Sequence, residues 1–443
     1  MKIRGLLIAT VILAALAATL YWSDHRRSSA EAAKPAAEAA PSILKIDENS
    51  ITELELKKKD APAILLTKSG SDWKITEPKP FRADQSAVSG VLSTVASLNS
   101  ERLVDEKGTD LQRYGLDHPS LELDVTEKDN KTQRLLLGDD TPAGSAVYAA
   151  VAGDPRVFTI AAYHRNSLDK NVNDLRDKRL LTVSPDKVSR LEITGKNGTI
   201  EFGRNKDEWQ ILKPRPMRAD VYAVSGLVGK LTDARMDLSG SDTAAKQSDS
   251  AFAHGAPLAT VKLTDESSTE ELQIRKSKDS YYAKSNVVEG AYKVNSDLAD
   301  AVNKKLADFR DKKLFDFGYA DPNKLEVHSG SKLLSLMRSG QDWWDNGKKT
   351  DEDSVRSLIS NLRDLSAEKF VDSGFTTPEI EATVTSDNGK RVEKVLISKS
   401  GSNYVAKRDN EPTLYEISAT SVDELQKSLD GVKLAPSPKK SGK

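Results

Sequence analysis

The sequence predicts an α+β protein of three tandem units, each of mainly antiparallel sheet with one capped helix, placed behind an N-terminal transmembrane helix. Three observations lead there. WKITEPKPFRAD, from Trp73 to Asp84, returns as WQILKPRPMRAD from Trp209 to Asp220. A stripe of apolar residues at helical spacing follows each phrase and occurs a third time behind Asp351. At the start of the chain, Gly5 to Trp22 runs 18 residues without a charge.

That run predicts a membrane anchor over residues 1–24. At helical rise it spans about 27 Å, close to a hydrocarbon core of about 30 Å. Tyr21-Trp22 stands where an interfacial belt would. Lys2 and Arg4 favour a cytoplasmic N-terminus; Arg26 and Arg27 pull the other way, but the long domain behind them favours translocation. The competing reading is a cleaved secretory signal ending near Ala15-Leu16-Ala17. Both put the bulk of the chain beyond the cytoplasm, and the anchored form predicts a single-pass inner-membrane protein with its mass in the periplasm or cell exterior. Residues 25–42, rich in Ala and broken by Pro35 and Pro41, read as a tether.

The units follow at 43–183, 184–317 and 318–434, with an unstructured tail at 435–443. Each opens on a hairpin pattern, AILLTKSGSDWKI from Ala63 and TIEFGRNKDEWQI from Thr199. Pro78 and Pro80, like Pro214 and Pro216, cannot donate to a ladder, which predicts that they end the strand and hold a stiff extended connection to the helix. Asp84 and Asp220 are placed to cap that helix, and Asp351 the third. Val88, Val91, Leu92, Val95 and Leu98 form the first stripe; Val224, Leu227, Val228 and Leu231 the second; Val355, Leu358, Ile359, Leu362 and Leu365 the third. Four or so short strands and a closing helix complete each unit. LRDKRLL from Leu175 and FRDKKLF from Phe309 close the first two alike. The third unit diverges: it lacks both prolines, and Trp344 precedes Asp351 by only seven residues.

With 66 Lys+Arg against 67 Asp+Glu the formal net charge is −1, which argues against nucleic acid as a partner. The absence of cysteine excludes disulfides, thiolate metal sites and a Cys nucleophile. None of the five histidines belongs to a metal-ligand pair, and Gly347-Lys348-Lys349-Thr350 lacks the glycine spacing of a phosphate loop. Asp139-Asp140 reads as an acidic turn before it reads as a cation site. No catalytic constellation and no cofactor is expected. Trp73, Arg82, Trp209 and Arg218 are the candidates for a recurring recognition surface, although a tryptophan at a repeated strand position is more economically a core anchor.

The Trp-x-Ile-x-x-Pro phrase, YGLDHP at Tyr114, LLLGDDTPAGSAVYAAV from Leu135 and LRDKRLL at Leu175 resemble an uncharacterised bacterial family, domain of unknown function forty-three-forty. The resemblance implies tandem units behind a membrane segment, and genes often beside gliding-motility-type ABC transporter components. It carries no catalytic residues. The function expected is that of a membrane-anchored extracytoplasmic interaction or accessory protein whose partners are the membrane and an ABC transporter permease or associated component. The alternatives are a solute- or glycan-binding protein and, behind it, an envelope-polymer hydrolase working through paired carboxylates.

Overall fold

The computed structural model describes residues 42–206, 208–238, 242–317 and 322–436. The expected anchor, nearly all of the tether and most of the tail lie outside the described residues. Among the described residues no helix is long and apolar enough to cross a membrane. Two compact units divide the chain, residues 1–178 and 179–443. The first carries one antiparallel sheet, the second carries two.

In the first sheet β1 (Ile51–Lys58), β2 (Ile64–Ser69), β3 (Asp72–Glu77) and β4 (Phe81–Arg82) lead into α1 (Gln85–Ala96). Then come β5 (Arg102–Asp105), β6 (Leu121–Glu127), β7 (Thr132–Asp140), β8 (Ala146–Val151) and β9 (Val157–Ala161), closed by α2 (Ala162–Leu168) and α3 (Val172–Leu175). The order across the sheet is β4-β3-β2-β1-β6-β7-β8-β9-β5.

The second sheet repeats it with β10 (Arg190–Gly195), β11 (Gly198–Asn205), β12 (Glu208–Lys213), β13 (Met217–Arg218) and α4 (Val221–Thr232). Helix α5 (Asp242–His254) then precedes β14 (Ala256–Thr264), β15 (Thr269–Ser277), β16 (Ser280–Ser285), β17 (Ala291–Val294) and α6 (Ser296–Val302). The third sheet has β18 (Lys324–Ser329), β19 (Lys332–Ser339), β20 (Asp342–Asp345), β21 (Lys348–Lys349) and α7 (Glu352–Asp364). It continues with β22 (Lys369–Val371), β23 (Ile380–Ser386), β24 (Arg391–Ser400), β25 (Asn403–Arg408), β26 (Leu414–Ile417) and α8 (Ala419–Gly431). Strands such as β3, β12 and β23 alternate inward and outward residues, β9 is buried throughout, and the helices cover one face of their sheet.

Every stripe residue predicted for α1, α4 and α7 is buried. At about 1.5–3 kcal/mol for each fully buried aliphatic side chain, these stripes fix the helices to the sheets. The caps are in place: the Asp84 carboxylate accepts from the amides of Ser86 and Ala87, Asp220 from Ala223 and Asp351 from Ser354.

Four features differ from the sequence expectation. The proline segment is a reverse turn, not an extended connection: the Glu77–Pro78 and Lys213–Pro214 bonds are cis, and Phe81 and Arg82 pair back onto Ile75 and Lys74. In the third module Asn346 and Gly347, both at positive φ, make that reversal as a two-residue hairpin turn. This accounts for the missing prolines and shorter spacing. The tryptophan equivalent to Trp73 and Trp209 is Trp343, whose register partner Arg338 matches Lys68 and Arg204; Trp344 points to the other face. Finally, the central strands β1, β10 and β18, with their inward apolar residues, open the modules ahead of the recognised hairpins.

The cores also shift the frame. Leu180, Leu181 and Val183, at the end of the first repeat by spacing, pack in the second core, and Leu314, Phe315 and Phe317 pack in the third. Leu175 and Phe309 remain in the first and second. Each module therefore has a leading segment bound behind its capped helix (Ile43 N to Leu98 O, 3.1 Å; Leu180 N to Ala234 O, 2.9 Å; Leu314 N to Leu365 O, 3.0 Å). A trailing segment binds in front of it (Asp84 N to Leu175 O, 2.8 Å; Asp220 N to Phe309 O, 2.8 Å; Asp351 N to Lys433 O, 2.9 Å). By these bonds the third module is a full copy.

Candidate functional site, a charged joint between the second and third sheets

One strand position grips the leading segment in every module. Gln133, Glu270 and Glu393 occupy it, opposite Val125, Leu263 and Val384. Gln133 bonds both backbone groups of Lys45, donating to its carbonyl at 3.0 Å. Glu270 accepts from the amides of Thr182 at 2.6 Å and Val183 at 3.3 Å, and from the Thr182 hydroxyl. Glu393 accepts from the Asp316 amide at 2.8 Å. A side chain here satisfies amides that the ladder leaves unpaired.

Around Glu393 that contact has grown into a network. Arg408 is 4% exposed. Its guanidinium donates to the Leu314 carbonyl at 2.9 Å and to Glu393 at 3.1 Å, and lies 3.2 Å from Asp316 and 3.3 Å from Glu411. From the second module Arg218 reaches into the same cluster. It donates to the Lys313 carbonyl at 2.7 Å and pairs with Asp311 and Asp316, with Glu411 at 3.7 Å. The Tyr415 hydroxyl, buried, donates to Glu411 at 2.5 Å. Arg310 lays its guanidinium 3.5 Å from the centre of the Phe370 ring.

Burial and charge contend at each group. Burial pushes the Glu393 and Asp311 carboxyls above their ordinary range, against the neighbouring Arg408 and Arg218. Burial pulls Arg218 down, yet the Asp316 and Asp311 carboxylates outweigh it and hold the guanidinium above its usual value. The Tyr415 phenol is pushed far up by burial and by Glu411. Glu393 Oε2 is buried with no hydrogen-bond partner. Such a set fixes two surfaces against each other, because each buried charge is costly unless all its partners stay in register.

Of the residues singled out by sequence, Trp73 and Trp209 are 6% and 4% exposed and lie in the first and second cores. Lys68 and Arg204 cover their rings. Arg82 stands 3.7 Å from Asp177, the pair equivalent to Arg218 and Asp311. At those two positions the third module has Lys349 and Ala435, and Lys349 turns to Asp342 at 2.9 Å. The repeated Arg-Asp-Lys of the closing segments was the sequence signal for Asp177 and Asp311. Nothing in the sequence pointed to Glu393 or Arg408, whose position is held by Ser285 in the second module and Val151 in the first.

Asp139 and Asp140 end strand β7 and do not form the acidic turn expected from the sequence, and Asp140 is paired with Arg165 at 2.8 Å. Among the described residues no group of three acidic or histidine side chains is arranged to hold a metal. Two open grooves lie within single modules. One, of about 500 Å³, runs between Lys230, Arg235 and Asp297 in the second. The other, of about 600 Å³, lies in the third between Tyr404, Glu379 and Asp423.

Comparison with known proteins gives a family but no activity. The family described as Domain of unknown function (DUF4340) matches residues 73–213 and again residues 209–388. Each match begins at a module's core tryptophan and runs into the next module's sheet, so it is offset from the structural repeat. No curated protein matches the chain. A solved structure set beside it, a DnaN sliding clamp from Pseudomonas aeruginosa bound to griselimycin, has 9% identity and a TM-score of 0.13 over 86% of this chain and 94% of that one. A score so low carries no argument.

Proposed function

The chain belongs to the DUF4340 family, and from that premise we propose that it is a membrane-anchored extracytoplasmic interaction protein, an accessory part of an envelope ABC transport or gliding-type system. The observation that carries this reading is the joint. Four carboxylates and two guanidinium groups meet where the second module adjoins the third. Arg408 and Glu393 are buried and the other four groups half-buried; ion clusters of this kind stabilise little compared with apolar packing, and we read this one as fixing register. A fixed register between binding surfaces serves a protein that engages a large partner at several points, where weak contacts sum to avidity. The uncharged run of Gly5–Trp22 supplies the anchor, and a tether of about fifteen residues reaches about 45 Å when extended, which keeps the modules near a partner's outer loops.

The groove beside Tyr404 favours a second reading, a solute- or glycan-binding protein, because it sets one aromatic ring beside several polar groups. Co-purification from native membranes followed by mass spectrometry separates the two. Capture of an integral-membrane transporter component is expected. Recovery of a bound solute or glycan with no membrane partner would support the alternative. For topology, a Ser29→Cys variant is expected to react with a membrane-impermeant thiol reagent once the outer envelope is opened. An intact mass lacking about the first 17 residues would select the cleaved signal.

A further inference from the structure

The third sheet presents an outer face unlike the other two. Leu333, Met337 and Val392 are large apolar side chains 58%, 58% and 62% exposed. The matching register positions hold Thr199, Gly203 and Thr269 in the second module, and Thr67 and Thr132 stand opposite Glu53 and Thr126 in the first. The fold does not require apolar residues there, since two copies of it do without them.

Their arrangement is symmetric. Across β19, β18, β23 and β24 the outward residues form three rows: Met337, Lys324, Thr385, Val392; then Ser335, Glu326, Thr383, Lys394; then Leu333, His328, Glu381, Leu396. A two-fold axis parallel to the strands, midway between β18 and β23, exchanges the first and last member of each row and the two in the middle. We propose that this face binds the same face of a second copy of the chain. Stacked in that way, Met337 lies on Val392 of the other copy and Leu333 on Leu396. His328 faces Glu381, Ser335 faces Lys394, Lys324 faces Thr385 and Glu326 faces Thr383.

Apolar groups meet apolar groups and no like charges meet. The same operation on the second module stacks Gly203 on Thr269 and Thr199 on Gln273, and on the first Thr67 on Thr132, with no exposed apolar pair like Met337 and Val392. Only the third face is self-complementary, so a second copy is the occupant its chemistry fits. Four strands at about 4.8 Å and three rows at about 6.8 Å give about 400 Å² per copy, half of a standard interface. The contact is therefore of the weak class, and two anchored chains sharing one membrane gain from their raised local concentration.

The chain has no cysteine, so single cysteines report the geometry directly. Full-length Met337→Cys and Val392→Cys proteins are mixed in mild detergent and treated with a short bis-maleimide, because stacked sheets about 10 Å apart leave facing Cα atoms beyond the reach of a disulfide. The mixture is expected to form a cross-linked dimer about tenfold faster than either variant alone, because each cysteine faces the other type and lies about 14 Å across the sheet from its own. Sedimentation equilibrium of the Leu333→Lys variant is expected to show a dimer weakened about tenfold, with Thr199→Lys in the second module unaffected. Equal linking rates for the mixture and the single variants, or an unchanged sedimentation profile for Leu333→Lys, would overturn the proposal.

Discussion

Replacing Arg408 by Met keeps most of the stem volume and removes the charge at the centre of the joint. Two costs follow. The Leu314 carbonyl loses its donor, worth about 1 kcal/mol. Glu393, buried, loses its cation and avoids an unpaired charge by taking up a proton. Keeping a glutamate of ordinary pKa, about 4.3, protonated at pH 7 costs up to about 3.5 kcal/mol, and at pH 5 about 1 kcal/mol. The variant should therefore be less stable by up to about 4.5 kcal/mol at pH 7 and by about 2 kcal/mol at pH 5.

The sign follows from the raised Glu393 carboxyl. The folded state holds a proton that the unfolded chain releases, so this contribution is full below the unfolded pKa and is lost as pH climbs through the folded one. Native-state hydrogen exchange at Val395 and Ile397 on β24 reads the third module without assuming a single transition for the whole chain. The double variant Arg408→Met with Glu393→Gln should recover most of the loss at pH 7. A loss below about 1 kcal/mol with no dependence on pH would refute this account of the joint.

Asp84→Ala, Asp220→Ala and Asp351→Ala should each destabilise their own module by about 1 kcal/mol, read by exchange protection of the capped helix. Equal losses in all modules would contradict separate cores. A Cβ on Gly138 would overlap the Tyr114 carbonyl oxygen, so Gly138→Ala should lower the melting temperature of the first module through a loss of about 1–3 kcal/mol. Asp249 on α5 accepts from the Ala291 amide at the outer edge of β17 at 2.7 Å. In the Asp249→Ala variant that amide should exchange several-fold faster, corresponding to about 1 kcal/mol.

The repeat was legible because its helices are: four stripe positions and a capping Asp recur in all three units and a fifth in two of them, and every one of those stripe residues is buried. The proline phrase was read as an extended strut because a missing donor argues against a ladder. The two residues past the second proline, however, have donors and pair back onto β3. The third tryptophan was misplaced by one residue, since Trp343 and Trp344 are indistinguishable by composition and only the register onto β19 decides which faces inward. Module boundaries were set late because the closing segments repeat as sequence while their two ends serve different cores.

The joint was only half visible. Arg82, Arg218 and the Arg-Asp-Lys segments repeat, so spacing could find them. Arg408 and Glu393 lie on separate strands, and Arg408 has no counterpart in the other modules, so only the folded register brings them together. The self-complementary face was hidden for the same reason, because its three rows set side by side residues up to 61 positions apart in the chain, Lys324 beside Thr385.

We propose that the chain works by contact and not by chemistry at one group. Photo-crosslinking residues placed across the module surfaces of the anchored protein in its native membrane test it most directly. The account predicts capture of an integral-membrane transporter component from several positions, lost when the soluble part is severed at the tether and kept in single His or acidic variants. An acidic substitution that abolished the cellular activity while folding, membrane attachment and capture all persisted would contradict it and point to catalysis.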